Sequence, residues 1–124
     1  MYTLSNLLDC FVEVAPYLNS LTLDDIGVTV SDTEKYLTFV KGNQVPQLVK
    51  KDDIVPEGTV VHECMKTGKR VIKKVSADIF GFPYVASGIP IRENNKIVGA
   101  VSFVISIIYF ITFEPLLIYF YTLL

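Results

Sequence analysis

The sequence predicts an α+β domain: a five-stranded, mainly antiparallel sheet with helices gathered on one face. Three observations predict it. Apolar residues recur at three- and four-residue spacing near the N-terminus and again around residue 60. Five short stretches rich in Val, Ile, Tyr and Phe are separated by polar turns. The order helix, two strands, loop and helix, then three strands suits a layer of hairpins with helices packed on it.

The elements follow in chain order. Leu4, Leu7, Leu8, Phe11, Val12, Ala15 and Leu18 mark an amphipathic helix that Thr3 or Ser5 can cap and that ends near Asn19-Ser20. Pro16 lacks the amide needed in mid-helix, which predicts a kink or a second short helix there. Ile26, Val28 and Val30 alternate with Gly27 and Thr29 as in a half-buried strand. The polar turn Ser31 to Lys35 joins it to a second strand, Tyr36 to Val40. A crossing loop follows from Gln44 to Glu57, with Pro46 and Pro56. Thr59 is the expected N-cap of a helix over Val60 to Thr67, and Gly68 its left-handed C-cap. That helix turns Val60, Val61, Cys64 and Met65 inward. Val71 to Val75 is a third strand, Ser76 to Pro83 an apolar loop, and Tyr84 to Ile91 a fourth strand. Arg92 to Lys96 forms a hairpin turn because Asn94 and Asn95 tolerate positive φ. Ile97 to about Ile105 closes the sheet.

Composition divides the chain. Of 124 residues 51% are hydrophobic, and the mean hydropathy is +0.44, high for a water-soluble domain. The excess is concentrated late: after Lys96 the single charge is Glu114. The expected division is therefore one folded domain over 1–105 and an apolar tail over 106–124. Three readings of the tail stand side by side: a frame-shifted remnant, a membrane anchor, or a segment packed on the domain. Val104 to Leu124 has the length of a membrane span, roughly 20 apolar residues. A mid-span acid such as Glu114 costs about 2.5–3.5 kcal/mol on insertion scales. Asp9 and Glu13 interrupt the N-terminal apolar run and no positive stretch precedes it, so no secretion signal is expected. Cys10 and Cys64 read as free, buried thiols of a reducing compartment.

The chemistry-bearing residues do not assemble a catalytic set. His62 is the sole histidine; with Cys64 it makes an i, i+2 pair on different helix faces, whereas zinc needs three or four ligands. The pairs Asp24-Asp25 and Asp52-Asp53 have no histidine near in sequence. Ser87 lies outside any nucleophile-elbow context. Lys66, Lys69, Arg70, Lys73 and Lys74 cluster without interleaved aromatics, and the net charge is −2, which disfavours nucleic acid. No enzyme, metal or cofactor is expected.

Several segments resemble one family. Val14 to Asn19, Asp25 to Leu37, Pro56 to Val71 and Gly81 to Ala86 are similar to the N-terminal sensor region of soluble, cytoplasmic methyl-accepting chemotaxis receptors. The pair Ile89-Pro90-Ile91 and Ile97-Val98-Gly99 looks like the closing hairpin of PAS, GAF and Cache-like sensors. The resemblance implies a PAS/GAF-like sheet that binds a small molecule between its concave face and the helix and loops crossing it. On this chain that site would draw on Tyr36, Phe39, Phe80, Phe82, Tyr84 and Ser87, although the same aromatics could simply fill the core. The helical hairpin that follows in such receptors, with its methylated glutamates and kinase-binding tip, has no counterpart among residues 106–124. Kinase contact is therefore expected only in a full-length receptor. The implied role is sensory: ligand-induced conformational change in a cytoplasmic, homodimeric protein. The alternative is a structural or dimerisation module without a small ligand, tethered to a membrane by its tail.

Overall fold

A computed structural model describes residues 6–106. Its elements are α1 (Leu7–Leu21), β1 (Gly27–Asp32), β2 (Tyr36–Val40), α2 (Val60–Thr67), β3 (Val71–Val75), α3 (Ala77–Phe80), β4 (Tyr84–Glu93) and β5 (Lys96–Ser106). The five strands form one sheet in the order β2-β1-β5-β4-β3, with every neighbouring pair antiparallel. The three readings of the tail lie outside the described residues.

Local chemistry sets most element ends. Thr59 caps α2 by accepting from the His62 amide at 3.1 Å. Gly68 closes it at φ 72, donating its N–H to the Cys64 carbonyl at 2.8 Å. Asn94 and Asn95 turn the β4–β5 hairpin at φ 53 and 64.

Three sequence expectations are corrected. Asn6, not Thr3 or Ser5, caps α1, accepting from the Asp9 amide at 2.8 Å. No second helix begins at Pro16; α1 is a single helix through it. Leu8 and Ala15, with Phe11, Val12 and Leu18, pack one continuous face against the sheet on both sides of Pro16, and this burial outweighs the lost backbone hydrogen bond. Within the apolar loop Ser76–Pro83, Ser76 caps one helical turn, α3, which Gly81 ends at φ 73.

The strands are apolar on both sides, and both sides are covered. Val28, Val30, Ile91 and Val101 face α1. On the other face α2, α3 and the 41–58 loop gather, with Val61 and Cys64 packed by Tyr36 and Ala100, and Val45 and Val60 by Val75, Tyr84, Ala86 and Val104. The gathering of helices on one face read from the sequence is this second layer, and α1 adds cover behind the sheet.

Candidate functional site

The loop between β2 and α2 is held down as a roof over the second face. Both carboxylate oxygens of Asp25 accept backbone N–H groups, from Asn43 and Gln44 at 2.6 Å each. Farther along, Tyr36 donates to the Asp53 carbonyl at 2.9 Å and accepts from the Asp52 amide at 2.8 Å. Val55 donates to the Glu34 carbonyl at 2.9 Å. Asp25, read from the sequence as a turn residue, is thus the clamp that fixes where the roof begins.

Beneath this roof lies a small cavity of about 20 Å³. By volume it holds little more than one water, for which about 10–15 Å³ is needed. Its floor is the sheet: Thr29 on β1, Ser102 and Val104 on β5, and Ala86 on β4. Its walls are Tyr36, Phe39, Phe80 and Tyr84, closed by Thr59 and Val60 of the α2 start. Phe80 and Tyr84 stack with ring centroids 6.1 Å apart. The floor is polar at one point, where the hydroxyls of Thr29 and Ser102 meet at 2.5 Å. On the same sheet face, Ser31 Oγ is fully buried and has no hydrogen-bond partner among the described residues.

Burial dominates the electrostatics. It pushes the Tyr84 phenol up to about 12. The Tyr36 phenol is also raised, by burial first and by the neighbouring Tyr84 second, while a hydrogen bond with Thr59 pulls the other way. Burial likewise lifts the Cys64 thiol to about 11, so it stays protonated at neutral pH and is no reactive thiolate.

Of the six residues singled out from the sequence, Tyr36, Phe39, Phe80 and Tyr84 line this cavity together. Phe82 packs beside it in the cluster around Tyr84 and Val75. Ser87 lies elsewhere: it lines the opposite, α1-facing side with Phe11, Leu18, Ile89, Val101 and Phe103, in an open groove of about 240 Å³. The separation follows from strand parity, since residues three apart on β4 face opposite ways. That signal was present in the sequence. Thr29, Ala86 and Ser102 were missed there, because alternation along a strand does not say which of its two faces bears the cavity, and Thr59 was read only as the cap of α2.

Other candidates resolve simply. His62 is half-buried on α2 with Cys64 buried behind it, and no three metal-capable side chains converge among the described residues. Cys10, expected to be buried, is exposed on α1. Lys73 pairs with Glu63 at 2.6 Å. Among the described residues no helix is long and apolar enough to cross a membrane.

No family model matches the chain. By sequence it is 37% identical over 98 residues to "Putative sensory transducer protein YfmS" of Bacillus subtilis, across 78% of this chain and 34% of that one. The chain therefore spans about a third of its relative's length. By structure it is similar to the ligand-binding domain of the Campylobacter jejuni chemoreceptor Tlp3, solved with 4-methylisoleucine. That match has a TM-score of 0.59 at 16% identity and covers 84% of this chain and 41% of that one. It is also similar to the C-terminal domain of a "putative transcriptional regulator" from Vibrio cholerae, with a TM-score of 0.61 at 11% identity over 91% and 90% of the chains. The fold therefore does not dictate one output. Sequence and fold point the same way: the chain is related over 98 residues to part of a putative sensory transducer, and its fold is similar to that of a chemoreceptor ligand-binding domain.

Proposed function

We propose that the domain senses a small molecule bound between the sheet and the 41–58 loop, α2 and α3, and that it performs no catalysis. The carrying observation is the cavity itself, where four aromatic rings surround a hydroxyl pair on the sheet floor. Mostly apolar walls with few placed polar groups are the usual make-up of a ligand site. A structural neighbour, Tlp3, was solved with amino-acid ligands, which supports a small-molecule role for the fold. Occupancy would shift the population of cavity-wall conformations, and β5, which carries Ser102 and Val104, would pass that shift on beyond residue 106. The sensing unit is 1–105, acting in the cytoplasm within a longer receptor that contacts its kinase.

A thermal-shift screen of metabolites tests this, with Ala86→Ile as the partner variant because its larger side chain fills the cavity. At least one compound should raise the wild-type melting temperature by several degrees and leave the variant unmoved. If no compound stabilises the wild type, the sensing role fails.

A second reading, dimerisation, rests on α1. Its outer face exposes Leu7, Cys10, Val14, Tyr17 and Leu21, a three-four-three-four spacing that makes a coiled-coil seam. A homodimer through this seam is compatible with sensing. Sedimentation should show a dimer that Val14→Glu dissociates, with oxidation linking the two copies through Cys10. A monomer at high concentration would rule it out.

A further inference from the structure

We infer that the cavity under the 41–58 loop takes an uncharged small molecule with an apolar body and a single hydrogen-bonding group. This rests on the sensing role proposed above and names the ligand class for that same site. Among the described residues, none that lines the cavity carries a formal charge. The polar atoms offered are hydroxyls, from Thr29 and Ser102 on the floor and from Thr59, Tyr36 and Tyr84 around it. Hydroxyls donate or accept, so they suit an alcohol, a carbonyl or an amide equally well.

Two charges on the surrounding elements are engaged elsewhere. Lys73, on the same sheet face, is held by Glu63 at 2.6 Å. Asp53, whose field reaches Tyr36, accepts the Lys50 amide at 2.9 Å. The raised phenols show the same thing from the other side: burial makes a negative charge unfavourable here. A carboxylate or a zwitterionic amino acid would lose its hydration and gain no counter-charge, whereas a neutral molecule of the same shape loses far less. The amino acids bound by a structural neighbour are thus the wrong charge class for this cavity, even though the fold is shared.

Size adds a second condition. About 20 Å³ admits one water, so a ligand of four or five heavy atoms must displace a wall. Phe80 is the wall with the least support. It is half-buried and rides on a single helical turn, α3, none of whose residues is buried. Its stacking on Tyr84 would be exchanged for contact with the ligand.

The test uses four probes that share an isopropyl body: isobutanol, isobutyramide, isobutyrate and L-valine. Each is titrated into the full chain while the backbone amide signals of Ala86, Ser102 and Val104 are followed by NMR. Isobutanol and isobutyramide should shift these signals saturably, with dissociation constants at least about tenfold below those of the two charged probes. If L-valine or isobutyrate binds there as tightly, the neutral class is overturned while the sensing role stands. If none of the four moves these signals, the neutral class is again overturned, and the metabolite screen alone decides the sensing role. Signals that move only around Ser87 and Ile89 would place binding in the α1-side groove, and the assignment to this cavity would be wrong.

Discussion

Thr29 Oγ1 and Ser102 Oγ meet at 2.5 Å in the buried floor of the sheet, 73 residues apart in sequence. They are direct cross-strand partners in the β1–β5 register. Each hydroxyl partners the other inside the buried sheet. Removing one should leave the other unpaired, at a cost of about 1–3 kcal/mol. Thr29→Val and Ser102→Ala should therefore each destabilise. The double variant should lose clearly less than the sum, as read by urea unfolding in a double-mutant cycle.

Gly99 should tolerate no side chain. A Cβ there would overlap the Ser31 carbonyl oxygen and come within 2.6 Å of the Leu8 side chain. Backbone in a central sheet position cannot retreat as a flexible side chain can. Gly99→Ala should cost about 1–3 kcal/mol or more, seen as a lower melting temperature with loss of β1–β5 amide protection.

The β4–β5 turn offers a milder contrast. Asn95 sits at φ 64, a conformation that glycine adopts freely and alanine does not. Asn95→Gly should be neutral or slightly stabilising. Asn95→Ala should cost about 1 kcal/mol, and equilibrium denaturation of the two variants side by side would show the difference.

Alkaline pH should weaken the fold before it ionises the native cavity. Burial raises the Cys64 thiol from 9.0 to about 11 and the Tyr84 phenol from 10.0 to about 12. Both groups are neutral when protonated, and the unfolded chain releases their protons first. Their contribution to stability is complete below about pH 9 and is lost as pH rises to about 11 and then 12. The urea midpoint should fall across that window, and Cys64→Ala should flatten its lower part.

Much of the local structure was legible in the sequence. Thr59, Gly68 and the Asn94-Asn95 pair act on backbone groups within a few residues of themselves, so their effect can be read without knowing the fold. The alternation in β1 and the bounds of α2 and β3 were visible for the same reason. Where neighbours compete, the reading slipped. Thr3 and Ser5 looked able to cap α1, but Asn6 takes that place, accepting from the Asp9 amide.

The sequence by itself determined the α+β class, the helices α1 and α2, the five strands, and the resemblance to chemoreceptor sensors; of the six site residues it singled out, Tyr36, Phe39, Phe80 and Tyr84 share one cavity. Only the tertiary structure decided the sheet order β2-β1-β5-β4-β3 and which face each layer covers. It alone brought Thr29 to Ser102, bent Asp25 into a clamp for the loop, and sent Ser87 to the far side. The reason is physical. Caps and turns are governed by contacts a few residues long, whereas a cavity is made where distant strands pair, and a one-residue change of register would exchange its floor for the opposite face.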